Sequence, residues 1–324
     1  MLTSEKIINY ISKNRQASGR ELSEYLSGIT SRAIRKQLKN LLDKGLVRKI
    51  GRPPKVYYLL KTSGGELNFG KIDKQMRNFI NEKYLFISPA GESMLGWQGF
   101  LAWCEKTKQD PIKTAKEYIS TVKKFDRFRK NKLVDGMAKM KDTFKDVLLD
   151  GLFYLDFYSI ERFGKTKLGQ MLLYAKQSQN IALMHQLISE IRPRIIDLLG
   201  SYKIDGVLFI PPTVKREVQF MKELEKQLNL SVKTLSVAKV KTEIIIPQKT
   251  LSKLEDRIEN AKYTIIVDDV GRYNNILLID DAVGSGATLN ETARQIKNKN
   301  LLSGKIIGLA ITGSFKGFDV ISEV

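Results

Sequence analysis

Two adjacent carboxylates followed by a loop of small residues form the most specific chemical pattern in this 324-residue sequence. Asp280 and Asp281 come directly after the apolar run 276–279, and the loop 284–288 leads into a helical pattern. The loop reads Gly-Ser-Gly-Ala-Thr, so its backbone N–H groups can close around an anion at a helix N-terminus, and its hydroxyls add donors. The two carboxylates suit the hydroxyls of a ribose and can hold Mg²⁺ through them. The pattern therefore predicts a site for a phosphorylated sugar.

Short apolar strands alternate with helices in the second half of the chain, and these elements must position the two acids. The sequence predicts strands at 207–210, 265–267, 276–279 and 306–311, with helices at 215–228 and 289–297. This alternation predicts an α/β fold with a mostly parallel sheet. Open sheets of this kind bind ligands at the carboxyl ends of their strands, which is where both acids fall.

The run from 276 to 290 resembles the loop that binds 5-phosphoribosyl-1-pyrophosphate (PRPP) in type I phosphoribosyltransferases. Ala282 and Gly284 depart from the commoner residues of the family pattern. Over residues 150–324 the chain resembles the ComF branch of that family, through segments at 153–158, 174–176, 208–212 and 247–251 with Arg257 and Asn260. Two ComF elements are absent, the N-terminal cysteine zinc motif and an Arg-Gly-Phe-Asn element, whose region is occupied by 215–220.

The resemblance implies a set of site residues. The PRPP-binding residues would be Asp280, Asp281, Ala282, Val283, Gly284, Ser285, Gly286, Ala287 and Thr288, with Mg²⁺ held indirectly by the two acids through bound PRPP. The pyrophosphate loop would be Pro212, Thr213, Val214, Lys215 and Arg216. The candidates for a mobile loop within 239–262 are Lys239 and Lys241. For the run 280–288 the alternative is a generic glycine turn. For 212–216 it is a solvated basic turn, and for 239–262 an ordinary excursion of the chain.

The charge of the chain is unevenly distributed. Lys and Arg number 55 against 35 Asp and Glu, a net charge of +20. Residues 1–145 carry +17 of this excess and residues 146–324 only +3. A basic front half predicts a polyanionic partner for that half, and a nearly neutral back half predicts a different ligand.

Several classes of protein are excluded by composition. The single cysteine, Cys104, excludes a disulfide framework and a cysteine zinc cluster, and the single histidine, His185, excludes a multi-histidine metal site. No apolar stretch approaches the roughly 18 uncharged residues of a membrane span, and the N-terminus has no signal-peptide pattern. We therefore predict a cytoplasmic protein with no membrane partner.

The first sixty residues predict a winged helix-turn-helix that binds double-stranded DNA. Three helices are expected: one at 4–14, a short one that begins at the capping box of Ser18 and Glu21, and one at 31–44. Strands are expected to follow at 46–50 and 56–60. The third helix would be the recognition helix, and the turn between the strands, which resembles an AT-hook, would be the wing. The candidate DNA contacts are Arg32, Arg35, Lys36, Lys39, Arg48, Lys49, Arg52 and Lys55. The alternative is a protein-interaction module with a solvated basic face.

The chain is therefore expected to have three parts: a winged helix-turn-helix at 1–62, a helical connector at 63–149 and a phosphoribosyltransferase-like domain at 150–324. The lysine-rich helices of the connector would be either a second nucleic-acid contact or a solvated surface. We expect a homodimeric transcriptional regulator whose second domain binds PRPP or a nucleotide as effector, as the Gram-positive purine repressors do. The alternatives are an active phosphoribosyltransferase that transfers phosphoribosyl from PRPP to a nitrogenous base, and a ComF-like DNA-handling protein.

Overall fold

The chain divides into two compact units, Met1–Lys71 and Ile72–Val324. The computed structural model describes residues 2–60, 73–214, 216–240, 243–244 and 246–314, apart from the side chains of Arg52 and Lys249. The glycines at 64, 65 and 70 predict a linker at 64–75, and residues 64–72 of it lie outside these ranges.

The first unit combines three helices with a small antiparallel sheet. Its elements are α1 (Thr3–Asn14), β1 (Ala17–Ser18), α2 (Gly19–Tyr25), α3 (Ser31–Asp43), β2 (Val47–Arg52) and β3 (Lys55–Leu60). The strand order is β1-β3-β2. The predicted helices and strands of this segment are thus confirmed, with β2 extending two residues further than expected.

Local hydrogen bonds explain why the helices of the first unit begin where they do. The capping box at α2 is present, because the Glu21 N–H donates to Ser18 Oγ at 3.2 Å and the Ser18 N–H donates to Glu21 Oε2 at 2.6 Å. Thr30 Oγ1 accepts from the Ala33 N–H and caps α3. Ile34 and Leu38 of α3 are buried against Ile7, Ile11 and Leu22 of the other two helices.

The second unit is built around a seven-stranded sheet. Its first half contains α4 (Lys74–Lys83), β4 (Leu85–Ile87), β5 (Ser93–Leu95), α5 (Gly96–Thr107), α6 (Pro111–Asp126), β6 (Arg129–Lys130), β7 (Leu133–Asp135), α7 (Met137–Thr143), β8 (Gly151–Phe157), α8 (Lys167–Ser178) and α9 (Ile181–Ser201). Its second half contains β9 (Gly206–Phe209), α10 (Phe220–Leu228), β10 (Lys233–Thr234), β11 (Val237–Lys239), α11 (Leu254–Thr264), β12 (Ile265–Val267), β13 (Ile276–Val283), α12 (Ala287–Asn298) and β14 (Ile306–Gly313).

The sheet is mostly parallel, as the sequence predicts. Its strand order is β10-β9-β13-β14-β8-β7-β6. The first five strands are parallel, and β7 and β6 add antiparallel strands at one edge. Side chains of β13 alternate between two layers: Leu277 and Ile279 pack with α8, α9 and α10, whereas Ile276 and Leu278 pack with α5, α6 and α12. Helices therefore cover both faces of the sheet.

The segment predicted as a helical connector belongs to the second unit. The prediction that the connector at 63–149 is helical is wrong in part, because α6 ends at Asp126 and a β6–β7 hairpin follows. Asn131 and Lys132 take left-handed backbone conformations, φ 50° and 67°, that no helix interior allows. Val134 then pairs with Tyr154 of β8, and α5 and α6 bury Phe100 and Tyr118 in the core shared with the sheet. The segment is therefore part of the α/β fold.

Within the described residues, none of the helices combines the length and the apolar character required of a membrane span.

Candidate functional site

The carboxyl ends of β9 and β13 lie side by side. Phe209 pairs with Ile279, and the Ile210 N–H donates to the Ile279 carbonyl at 2.8 Å. The chain leaves β9 toward β10 and leaves β13 toward β14, on opposite sides of this strand pair. Diverging connections of this kind open a crevice at the carboxyl edge of an α/β sheet. The segment after β9 and the acids of β13 therefore border the same crevice.

A cleft of about 220 Å³ occupies this edge of the sheet. The described residues that line it include almost all of those predicted for PRPP: Pro212, Thr213, Val214, Arg216, Lys239 and the continuous run from Asp280 to Thr288. Lys215 and Lys241 lie outside the described residues. The structure thus brings three separately predicted segments together around one cavity.

The loop after β13 turns directly into the N-terminus of α12. Gly286 has a φ of +86° and stands at the N-cap of α12, a helix of twelve residues. A Cβ at this position would lie 2.4 Å from Met140 Sδ, so both conformation and space require glycine. The Ser285 hydroxyl accepts a hydrogen bond from the Ala287 N–H at 3.3 Å. The start of α12 is therefore held in place beneath the cleft.

The two acids lie among cations. Lys176 Nζ of α8 is 2.7 Å from Asp281 Oδ2, and the Asp281 N–H donates to Asp280 Oδ1 at 2.8 Å. Burial raises the pKa of Asp280 above its ordinary value, and the adjacent Asp281 charge adds to this effect, while Lys176 and Lys239 oppose it. The carboxylates are therefore acceptors whose charge the protein already offsets in part.

Lys239 connects two of the predicted segments. Its ammonium donates to Thr213 Oγ1 at 2.5 Å, which places a cation from β11 against the loop that follows β9. Burial lowers the pKa of Lys239, and the charges of Asp280 and Asp281 counteract the shift. The side chain is half-buried, so water screens its attraction for an anion in the cleft less than it would at the surface.

Two further cations that the sequence did not predict as site residues line the cleft. One is Lys176, whose backbone carbonyl also accepts a hydrogen bond from Arg216 Nη1. The other is Arg257 of α11, 4% exposed, whose Nε donates to the Leu251 carbonyl at 2.7 Å. Arg257 Nη1 lies 3.3 Å from the position that a Cβ on Gly284 would take. Both fall in segments that carry the ComF resemblance, which was the available signal for them.

The predicted DNA-binding residues of the first unit are mostly exposed. Four lie on the side of α3 opposite its buried apolar residues: Arg32, Arg35, Lys36 and Lys39. Lys49 and Lys55 are exposed on the β2–β3 hairpin, whereas Arg48 is half-buried, with Nε and Nη1 inaccessible to solvent. The side chain of Arg52 is not described. Within the described residues, α3 therefore offers the largest of the predicted basic surfaces.

Comparison with known proteins gives little similarity. The chain matches no protein-family model and no curated protein. Among solved structures it aligns with a hypoxanthine phosphoribosyltransferase from Staphylococcus aureus at 16% identity, over 40% of this chain and 74% of that chain. The TM-score of this alignment is 0.23, which is too low to assign a shared fold. The function must therefore be argued from the cleft and from the two units themselves.

Proposed function

We propose that this protein is a DNA-binding regulator whose second unit binds PRPP or a related nucleotide as effector. The observation that carries the proposal is the single cleft in which the acids of β13, the 284–288 loop and the cations Lys176 and Lys239 meet. We further propose that the first unit is a winged helix-turn-helix for double-stranded DNA, and that the protein is a homodimer, since such regulators bind two half-sites.

The chemistry of the cleft supports a phosphorylated ribose in one orientation. The backbone N–H groups of 284–288 would hold the 5-phosphate at the start of α12, and Asp280 and Asp281 would accept hydrogen bonds from the ribose hydroxyls. Thr213, Arg216 and Lys239 would face the pyrophosphate. Carboxylates are ligands that Mg²⁺ prefers, but Lys176 already neighbours Asp281, so this donor set fits a cation that arrives with the ligand.

Regulation requires that PRPP bind two states of the protein with different affinity. We expect Mg-PRPP to bind the full-length protein in isothermal titration calorimetry and to change its Kd for duplex DNA by about 5- to 150-fold, the usual range for coupled sites. Ribose 5-phosphate at the same concentration serves as the control, because it lacks the pyrophosphate that Lys239 and Arg216 would contact. A DNA affinity unaffected by saturating PRPP would contradict the regulatory proposal.

An active phosphoribosyltransferase is the second candidate. The contact between Lys239 and Thr213 favours it, because a cation on the proposed pyrophosphate loop would stabilise negative charge on a departing pyrophosphate. The two functions are separated by measuring pyrophosphate release from PRPP with a panel of nitrogenous bases. Release that requires Asp280 supports the enzyme, and PRPP binding without release supports the sensor.

Lys176 offers a specific prediction about the cleft. We expect Lys176→Met to weaken PRPP binding about 10- to 150-fold, because a charge-assisted contact contributes roughly 1.5–3 kcal/mol and the ligand is strongly anionic. Binding by the variant should also depend more steeply on Mg²⁺, since the metal must then offset both carboxylates. Calorimetric titrations at several Mg²⁺ concentrations measure both effects.

A matched control for this variant lies on the same helix. Lys167 Nζ is 2.9 Å from Glu190 Oε1, an ion pair of similar length whose residues do not line the cleft. Lys167→Met should leave the Kd for PRPP and its Mg²⁺ dependence as in the wild type. Equal effects of the two substitutions would show that Lys176 acts through the stability of α8 and not through the ligand.

A further inference from the structure

We propose that the exposed face of α6 is a second nucleic-acid surface, one that contacts the phosphate backbone without reading sequence. Four cations lie along this face and its continuation at the C-cap, and we call them the α6 stripe: Lys113, Lys116, Lys123 and, at the C-cap, Arg127. At about 100° per residue they fall within an arc of about 80°, and at 1.5 Å per residue they span about 21 Å. The stripe belongs to the second unit, and its existence does not depend on the proposal for α3.

The core of the protein fixes the direction in which the stripe points. Ala115, Tyr118 and Val122 of the same helix are buried against the sheet, at 0%, 4% and 7% exposure. These residues lie on the side of α6 opposite the stripe, because positions three and four apart share a face. Packing therefore directs all four cations into solvent together.

Neighbouring acids are committed to other partners and do not neutralise the stripe. The Asp110 carboxylate caps α6 by accepting from the Lys113 N–H at 2.7 Å. Glu117 pairs with Arg162, and Asp126 pairs with Arg129 at 2.7 Å. None of the four stripe cations forms an ion pair with a described residue. Their charges therefore add to one positive field that no ion pair among the described residues offsets.

Lys124 of the same helix, in contrast to the stripe cations, forms an ion pair. It follows Lys123 directly, yet its Nζ lies 2.7 Å from Glu161 Oε1. Acidic partners are thus within reach of α6 at one position, while the stripe positions have none among the described residues. The contrast indicates that the stripe is kept available for an external anion.

The chemistry of the stripe favours nucleic acid over a membrane surface. The other exposed residues between its cations are Ser120 and Lys124, both polar, and the apolar face of α6 is buried in the core. A helix that binds a membrane interface needs an exposed apolar face. A strand of B-DNA, in contrast, presents one phosphate per 3.4 Å of axis, so a surface of about 21 Å can reach several phosphates at once.

The decisive experiment measures the salt dependence of duplex binding by full-length variants. The test variant replaces the stripe with K113Q, K116Q, K123Q and R127Q. The control removes four exposed lysines elsewhere in the second unit, through K222Q, K226Q, K297Q and K299Q. Each phosphate contact contributes about 0.9 to the slope of log K against log salt, so the test variant should lose up to about 3.6 from this slope and the control much less.

Two additional variants make the result specific. K113R, K116R and K123R together retain the charge, so this variant should retain the wild-type slope. The stripe substitutions made in a protein whose α3 cations are also removed should reduce the slope further, even where the α3 substitutions alone have no effect. In that last case the first-unit proposal fails while the α6 stripe stands.

Other outcomes would overturn the proposal. Equal slopes for the wild type and the stripe variant, with unchanged circular dichroism, would show that the stripe is merely solvated. Loss of cosedimentation with phosphatidylserine vesicles at unaltered duplex binding would assign the surface to a membrane instead. A loss restricted to one duplex sequence would contradict recognition through the backbone.

Discussion

Replacing Asp280 and Asp281 together with asparagine is expected to weaken PRPP binding by a factor of about 100 to 10,000. A hydrogen bond to a charged group contributes roughly 1.5–3 kcal/mol, and two such bonds to ribose hydroxyls would be weakened at once. The substitution also turns an amide toward Lys176, whose Nζ lies 2.7 Å from Asp281 Oδ2 in the wild type. Isothermal titration calorimetry with Mg-PRPP measures the loss directly.

Two controls separate this effect from a general loss of structure. Asp197→Asn removes one charge from an exposed position on α9, away from the cleft, and should leave the Kd for PRPP unchanged. Asp280→Asn alone should not lower the thermal stability, because burial makes the charge of this carboxylate unfavourable in the folded state. An unaltered Kd in the double variant would exclude the acids from the site.

The unfavourable charge of Asp280 should also make the free energy of unfolding of the wild type depend on pH. The pKa of Asp280 is raised on folding, so the folded state binds its proton more tightly than the unfolded state. The resulting penalty is complete at pH values above the raised pKa and disappears below the ordinary value near 3.8. The stability gained by Asp280→Asn should therefore shrink as the pH falls through this window.

Removing the basic face of α3 is expected to reduce duplex affinity about 100-fold or more. The variant replaces with alanine Arg32, Arg35, Lys36 and Lys39. Contacts of arginine and lysine with bases and phosphates contribute about 1–3 kcal/mol where they specify a base, and each phosphate contact adds about 0.9 to the salt slope. Alanine favours helix, and the four positions are exposed, so the fold of α3 should be retained. Fluorescence anisotropy over a series of salt concentrations gives both affinity and slope.

A charge-matched control is available in the same unit. Four exposed cations outside the basic face of α3 are replaced with alanine in the same way: Lys6, Lys13, Arg20 and Lys44. This variant should bind the duplex with nearly the wild-type slope, since it changes net charge equally but not the proposed contact surface. Identical losses in the two variants would mean that only net charge, and not α3, determines DNA binding.

Gly51 shapes the turn of the hairpin that forms the proposed wing. It has a φ of +80°, and a Cβ there would lie 2.1 Å from the Lys55 carbonyl oxygen. The tight turn that exposes Lys49 and Lys55 therefore depends on glycine, a requirement that the sequence signals by its Gly-Arg-Pro-Pro turn.

Element boundaries were less predictable than element types. β13 continues beyond the apolar run through Val283, because Ala282 and Val283 pair with Thr312 and Gly313 of β14. The predicted strand therefore ended too early, since polar residues at a functional edge do not look like strand. The β6–β7 hairpin was missed because two- and three-residue strands are too short to show a period.

The sequence by itself determined the acid-acid loop, the capped helices of the first unit and the parallel class of the sheet, because each depends on local chemistry. In each case the interacting groups are close in the chain, as with Ser18 and Glu21, or the pattern repeats along it. Only the tertiary structure decided which distant side chains complete the cleft. Lys176 and Arg257 reach it from α8 and α11, because parallel pairing and helix packing bring those elements to one edge of the sheet. No spacing along the chain encodes such a meeting.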